Sequence, residues 1–228
     1  PASCIQSCIQ HGVWSQAGYH PPMATAKLGI LISGRGSNMP SITRACASGE
    51  IPAEGAMVIS NRDDAAGLAW AAEHGIPTAV LSHKDFDTRE AHDEAIVTRL
   101  REAGVEWVCL AGYMRLLSSV FIEAFSNRVL NIHPSLLPSF PGLHGQRDAF
   151  DYGVTVSGCT VHIVDLELDH GPIVVQRAVQ VAGCGDAGAL ADRILVEEHR
   201  AYPEALKRLL TRPWTLDGRR VVFGRGKS

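Results

Sequence analysis

A polar pair at the end of an apolar strand is the strongest chemical signal in the sequence. Asn131 and His133 follow the apolar pair Val129-Leu130 and precede Pro134. Because side chains alternate along a strand, Asn131 and His133 are predicted to share one face. Pro134 disfavours helix at His133, so the strand should end there. Ligands of open α/β sheets bind beyond the carboxyl ends of the strands, which makes this pair a candidate site; a solvated strand end is the alternative.

A third polar residue, Asp169, lies in a predicted loop that could reach the same edge. The amide of Asn131 can stabilise an oxyanion, and His133 can carry a proton near neutral pH. An aspartate beside a histidine favours the protonated imidazole. Together these groups suit the attack of an amine on a carbonyl, in which one group binds the oxyanion and others move protons. No serine or cysteine lies in a nucleophile motif, so an acyl-enzyme is not predicted.

A glycine-rich turn, residues 34–38, separates a predicted strand at 28–33 from a helix that opens at Met39. Backbone N–H groups and the helix dipole at such an N-terminus attract anions. Met39 stands where a dinucleotide motif has its third glycine, and the turn lacks the lysine of a P-loop. The turn therefore favours a single phosphate over a dinucleotide, and a plain strand-to-helix turn is the alternative.

The other elements alternate between strands and helices. Further apolar runs predict parallel strands at 56–60, 78–81, 106–111 and 129–132. Helices are predicted at 65–74, 88–103, within 142–152 and at 187–210. Runs of period two predict antiparallel strands at 154–164 and 172–181, and a last short hairpin at 214–223. The predicted fold class is α/β, an open and mostly parallel sheet flanked by helices, with an antiparallel C-terminal hairpin.

The composition is ordinary for a globular protein, with 228 residues, 46% hydrophobic and 20% charged, and a net charge of −3. The chain therefore lacks the excess of positive charge that would indicate nucleic-acid binding. No apolar run reaches the ~18–20 residues that cross a membrane. The cysteines form no C-x-x-C pair, so neither zinc nor a disulfide framework is predicted, and a cytoplasmic location is expected. Cys109 and Cys159 lie in apolar runs and are predicted core residues.

Three segments are predicted along the chain. Residues 1–26 lack a sustained period and are expected to be a disordered extension; the alternative is an arm in which Trp14 and Tyr19 pack on the domain. Residues 27–223 are expected to form one domain, and residues 224–228 a frayed tail.

Five motifs in order carry a family resemblance. They are Ser33-Gly34-Arg35-Gly36-Ser37-Asn38, Leu110-Ala111-Gly112-Tyr113-Met114-Arg115, Asn131-Ile132-His133-Pro134-Ser135-Leu136-Leu137-Pro138, Pro141-Gly142-Leu143-His144 and Leu168-Asp169-His170-Gly171-Pro172. With this spacing, the chain from about Leu28 to Asp217 closely resembles the phosphoribosylglycinamide formyltransferase (GAR transformylase) family, folate-dependent enzymes of purine synthesis.

The resemblance implies a Rossmann-like formyltransferase fold, with 10-formyltetrahydrofolate as co-substrate, glycinamide ribonucleotide (GAR) as formyl acceptor and no metal. It implies catalytic roles for Asn131, His133 and Asp169. It implies GAR contacts for Gly36, Ser37, Asn38 and Glu198. It implies folate contacts for Arg89, Met114, Arg115, Leu116, Leu117, Asn131, Asp165, Leu166, Glu167, Leu168 and Asp169. The expected partners are small molecules, and the protein is expected to be a monomer or homodimer.

Two residues depart from the family pattern. Arg35 stands where smaller or uncharged residues are commoner, and it could add a phosphate contact or point to solvent. His170 stands where a small residue is usual, and it could alter the acid–base chemistry or be a solvated loop residue. His144 and His162 fall near the site, whereas surface positions are predicted for His11, His20, His74, His83 and His92.

Three other functions are alternatives to this interpretation. A formyltetrahydrofolate hydrolase would use water as acceptor, but it usually carries a second histidine where Pro134 stands, and residues 1–26 are short for its N-terminal domain. A methionyl-tRNA formyltransferase would need a longer C-terminal domain with a basic face. A catalytically silent nucleotide-binding module would not need Asn131, His133 and Asp169 together.

Overall fold

A computed structural model describes residues 25–224, in which nine strands form one sheet. The strands are β1 (Ala26–Ile32), β2 (Ala53–Ser60), β3 (Thr78–Val80), β4 (Trp107–Leu110), β5 (Val129–His133), β6 (Val156–Ile163), β7 (Ile173–Gln180), β8 (Trp214–Asp217) and β9 (Arg220–Phe223). The helices are α1 (Met39–Ala47), α2 (Ala66–Glu73), α3 (Arg89–Glu102), α4 (Ser119–Ala124), α5 (Gly145–Tyr152) and α6 (Ala187–Thr211), with a 3₁₀ turn at His83–Asp85. The predictions for residues 1–24, including Trp14 and Tyr19, and for residues 225–228 lie outside the described residues. No helix within 25–224 is long and apolar enough to cross a membrane.

The sheet combines a parallel half with an antiparallel half. Its strand order is β3-β2-β1-β4-β5-β6-β7-β9-β8. Neighbouring strands from β3 to β5 are parallel, whereas β5, β6 and β7 pair antiparallel. Strand β9 joins β7 in parallel and pairs antiparallel with β8. The predicted fold class is confirmed, and the structure adds that the last hairpin extends the main sheet.

Apolar side chains cover both faces of this sheet. Successive residues of a strand face opposite sides, so Ile30 packs in a cluster with α1 and α6, and Leu31 in a cluster with α3 and α4. Every residue of β4 is buried, as expected of a central parallel strand. Cys109 and Cys159 are fully buried, so their prediction as core residues is confirmed.

The carboxyl ends of β1, β4 and β5 meet at one edge of the sheet because these strands are parallel. Residues 112–117, which follow β4, form a segment that we call the wall. Two hydrogen bonds tie the wall to the end of β1: the Ser33 N–H donates to the Gly112 carbonyl at 3.1 Å, and the Met114 N–H donates to Ser33 Oγ at 2.8 Å. The turn after β1 and the wall after β4 are therefore held in a fixed relation.

One of the surface histidine predictions is wrong. His92 is only 1% exposed, and its Nε2 lies 2.9 Å from the carbonyl oxygen of Leu81. Helix α3 is rich in charged residues on both sides, so its sequence does not reveal that His92 faces inward. His74 is exposed as predicted, and His83 is half-buried. His11 and His20 lie outside the described residues.

Candidate active site

Strands β5 and β6 together position the polar side chains of the site. Asn131 and His133 lie two residues apart on β5 and share one face. The antiparallel register of β6 places His162 opposite Asn131. His133 and His162 are 3% and 2% exposed, so both imidazoles are held in a packed environment. Adjacent hydrogen-bonded strands give these groups a rigid support.

Both ring nitrogens of His133 face hydrogen-bond acceptors. Nε2 lies 2.7 Å from the carbonyl oxygen of Phe140, and Nδ1 lies 3.3 Å from Oδ2 of Asp169. A carbonyl oxygen only accepts, so Nε2 carries a proton. The Phe140 carbonyl and the Asp169 carboxylate thus hold the ring from opposite nitrogens.

Asp169 is fixed by its backbone and by a backbone donor. Its Oδ2 accepts the N–H of Gly142 at 2.8 Å, and its side chain is 6% exposed. Its φ is 51°, a left-handed conformation that non-glycine residues adopt at a cost. Two residues later, a Cβ on Gly171 would stand 1.8 Å from the carbonyl oxygen of Ile163, so only glycine fits there. The tight packing of this loop therefore holds the Asp169 carboxylate against His133.

His162 orients the amide of Asn131. Its Nδ1 lies 3.1 Å from the carbonyl oxygen of Ile163, and its Nε2 lies 3.2 Å from Nδ2 of Asn131. Burial lowers the pKa of His162, although the Ile163 carbonyl and Asp169 oppose that shift, so the neutral ring is favoured. With its proton on Nδ1, the ring must accept at Nε2. The amide nitrogen of Asn131 therefore faces His162, and its second N–H is free to serve a ligand.

A cavity of about 250 Å³ opens beside these residues. Its lining includes the wall, the catalytic candidates Asn131, His133 and Asp169, and the loop of residues 165–169. Every residue that the family resemblance associates with folate lines this cavity except Arg89. Arg89 lies at the first residue of α3, half-exposed, with its guanidinium 3.4 Å from Glu90.

The rim of the cavity is apolar and accessible. Its large exposed apolar side chains are Met114, Leu116, Leu143, Leu166 and Leu168. Each of them is at least 56% exposed, which is unusual for clustered large apolar residues in the absence of a ligand or partner. Such a rim suits a flat, largely apolar ligand, with the polar groups of β5 and β6 at its inner end. Within residues 25–224, no group of three or more His, Cys, Asp or Glu could hold a metal ion.

The glycine turn is joined to α6 by a buried hydrogen bond. Asn38 is 3% exposed, and its Nδ2 donates to Oε2 of Glu198 at 2.8 Å. Burial raises the pKa of Glu198, and the hydrogen bond from Asn38 partly offsets this. Gly36 has a φ of 62° at the point where the chain turns into α1, Ser37 is half-buried and Arg35 is exposed. The structure thus brings Asn38 and Glu198 together, next to the turn predicted to bind phosphate, and Arg35 faces solvent.

Two functional groups of the site are backbone groups that the sequence analysis missed. They are the Phe140 carbonyl, which holds His133, and the Gly142 N–H, which holds Asp169. Backbone groups leave no residue-type signal. Both lie in the irregular segment between β5 and α5, which contains a cis peptide bond at Leu137-Pro138.

A family model described as formyl transferase matches residues 26–206, most of the chain. This chain belongs to the formyl transferase family. The family resemblance predicted from the five motifs is therefore confirmed.

Several relatives and solved structures are similar to this formyl transferase in sequence or in fold. A trifunctional purine biosynthetic protein adenosine-3 of Drosophila pseudoobscura pseudoobscura is 48% identical over 183 residues, which are 79% of this chain but 13% of the relative. A phosphoribosylglycinamide formyltransferase of Escherichia coli (strain K12) is 40% identical over 190 residues, which are 83% of this chain and 87% of the relative. The crystal structure of glycinamide ribonucleotide transformylase 1 from Symbiobacterium toebii has a TM-score of 0.86 and 45% identity, and the match covers 92% of this chain and 99% of that one. The chain thus spans only a small part of its trifunctional relatives and most of its bacterial ones.

Proposed function

We propose that this formyl transferase moves the formyl group of 10-formyltetrahydrofolate to the amine of glycinamide ribonucleotide, giving formyl-GAR and tetrahydrofolate in de novo purine synthesis. The observation that carries the proposal is the convergence of Asn131, His133 and Asp169 at the inner end of one cavity with an apolar rim. The names of the bacterial relatives support the choice of acceptor. The proposed working unit is a single domain of residues 27–223, acting in the cytoplasm as a monomer or homodimer.

The cavity suits the folate co-substrate. We place the pterin ring between the wall residues Met114–Leu117 and the loop of residues 165–169, both of which line the cavity. The formyl group would then reach the polar groups of β5. Arg89 lies outside the cavity, so its proposed role is to contact an anionic end of the folate that extends beyond the rim.

The glycine turn suits the ribonucleotide. Gly36, Ser37 and Asn38 precede the N-terminus of α1, so their backbone N–H groups and the helix dipole would bind the phosphate. Glu198, fixed by Asn38, would accept hydrogen bonds from hydroxyl groups of the same substrate. This placement leaves the amine of the ribonucleotide to approach the sheet edge where β5 ends.

The chemical step is a direct transfer. The amine nitrogen attacks the formyl carbon, a C–N bond forms, and the carbonyl oxygen becomes an oxyanion. The free amide N–H of Asn131 donates to this oxyanion, and such a donor is typically worth ~10²–10³ in rate. The positive charge of the His133 ring, whose N–H groups face Phe140 and Asp169, stabilises the oxyanion electrostatically. The bond from the formyl carbon to N10 of the folate then breaks. Asp169 stabilises the imidazolium and helps to carry the proton from the amine to N10, through water.

A two-substrate assay tests the proposal. The protein is mixed with 10-formyltetrahydrofolate, with and without glycinamide ribonucleotide, and the deformylated folate is followed. Turnover is expected only with the ribonucleotide, and His133→Ala should lower it by ~10² or more. His74→Ala, at the exposed histidine that directly follows α2, is the matched control and should leave the rate unchanged. Turnover without ribonucleotide would instead identify a formyltetrahydrofolate hydrolase, and full activity of His133→Ala would refute the mechanism.

A further inference from the structure

The loop over the cavity is anchored by a residue that the proposed mechanism does not use. His170 directly follows the loop of residues 165–169, and its Nδ1 lies 2.9 Å from Oδ2 of Asp165, the first residue of the loop. Its Nε2 lies 3.9 Å from Glu167. The ring therefore joins the two ends of the loop and faces a carboxylate at its centre.

Asp165 connects the His170 ring to the backbone of the loop. Its second oxygen, Oδ1, accepts the N–H of Glu167 at 3.0 Å, so the carboxylate bridges the loop backbone and the His170 ring. The Asp165 side chain is 16% exposed and that of His170 is 38% exposed, so the contact is partly shielded from water. A partly buried bond to a carboxylate is stronger than a fully exposed one.

A second restraint comes from the end of the chain. Arg219, in the turn between β8 and β9, donates through Nη2 to the carbonyl oxygen of His170. The next residue, Arg220, pairs with Ile173 at the start of β7. This hairpin lies beyond residues 26–206, the part matched by the formyl transferase family model. The C-terminal hairpin is thus hydrogen-bonded to His170, the same residue that anchors the cavity loop.

We propose that His170 and Arg219 form a latch that holds the loop of residues 165–169 in its ligand-binding conformation and so sets the affinity for the folate co-substrate. Both are positioning residues, since they act through Asp165 and the His170 backbone and touch no reacting atom. The proposal rests on the proposed function, because the folate is the ligand assigned to this cavity.

The expected effect is on folate binding more than on chemistry. Without the His170 ring, the loop samples other conformations. The apparent affinity for the folate is then the intrinsic affinity multiplied by the fraction of protein whose loop is in the ligand-binding conformation. A lost net hydrogen bond of ordinary strength predicts that the KM for 10-formyltetrahydrofolate rises about threefold to tenfold. The kcat and the KM for the ribonucleotide should change by less than about twofold, because His133 and the glycine turn have separate supports.

The test compares His170→Ala and Arg219→Ala with two matched variants. Arg220→Ala removes the exposed neighbouring arginine of the same hairpin, and it should leave all kinetic constants unchanged. His170→Asn restores a donor near the position of Nδ1, so it should recover most of the lost folate affinity. The measurements are the two KM values, kcat, and hydrogen exchange of residues 165–169 in the free protein.

A raised folate KM with faster exchange of the loop amides in both alanine variants, and rescue by His170→Asn, would support the latch. Unchanged folate KM and unchanged exchange in His170→Ala would overturn it, as would a loss confined to kcat. The exchange measurement does not depend on turnover. If the wild-type protein transferred no formyl group, the proposed function would fail, while the exchange of the loop would still decide whether the latch exists.

Discussion

Replacing His162 with phenylalanine tests whether this buried ring sets the orientation of the Asn131 amide. Phenylalanine fills a similar volume but removes Nε2, the acceptor 3.2 Å from Asn131 Nδ2. In the wild type, a flipped amide would place its oxygen against the lone pair of Nε2 and lose one hydrogen bond. A net hydrogen bond of about 1 kcal/mol corresponds to about fivefold in population.

We therefore expect His162→Phe to lower kcat about twofold, since losing a fivefold preference would leave about half of the Asn131 population with its carbonyl oxygen toward the developing oxyanion. The loss must stay below the ~10²–10³ expected when the Asn131 donor is removed outright. The KM values should change little, because the effect falls on the transition state.

The assay is a double-mutant cycle of transfer rates at saturating substrates, with His162→Phe, Asn131→Ala and the double variant. If His162 acts through the amide, His162→Phe should cost nothing further in the Asn131→Ala background. Urea unfolding of each variant shows that the fold persists. An equal loss in both backgrounds would refute the reasoning and would point instead to Asp169, whose Oδ1 lies 3.8 Å from His162 Nε2.

Three further predictions follow from the titrating groups. Burial lowers the pKa of His162 below its usual 6.5, so the unfolded chain takes up a proton at this ring more readily than the folded protein does. The stability that comes from burying the neutral ring is therefore complete above pH 6.5 and is lost as the pH falls. In His162→Phe, the free energy of unfolding should decline less steeply below pH 6.5. Because burial raises the pKa of Glu198 above 4.5, the carboxylate destabilises the fold as the pH rises past 4.5. Glu198→Gln should therefore unfold at higher urea concentration at pH 7, yet raise the KM for the ribonucleotide about tenfold, and a lower unfolding midpoint would contradict this. Asp169→Asn keeps the shape of the side chain but removes the charge beside His133, so kcat should fall ~10²-fold or more in the transfer assay, and an unchanged kcat would exclude a role in proton transfer.

Local sequence patterns determined much of the fold and part of the site. The apolar runs predicted the buried parallel strands, and the period of two along β5 placed Asn131 and His133 on one face. The turn at residues 34–38 was located from its glycines and from the helix that follows. These features depend on neighbours within a few residues, so they can be derived from the chain alone.

Tertiary structure alone decided which distant groups meet. The register between β5 and β6 sets His162 against Asn131, and no local pattern fixes that register. The same holds for the Phe140 carbonyl on His133 and for the burial of His92, which depends on how α3 rotates against the sheet. Arg219 reaches His170 only because the last hairpin joins β7. The sequence thus determined the residue types and their local geometry, whereas the pairing of separate segments, driven by burial of the shared core, assembled them into one site.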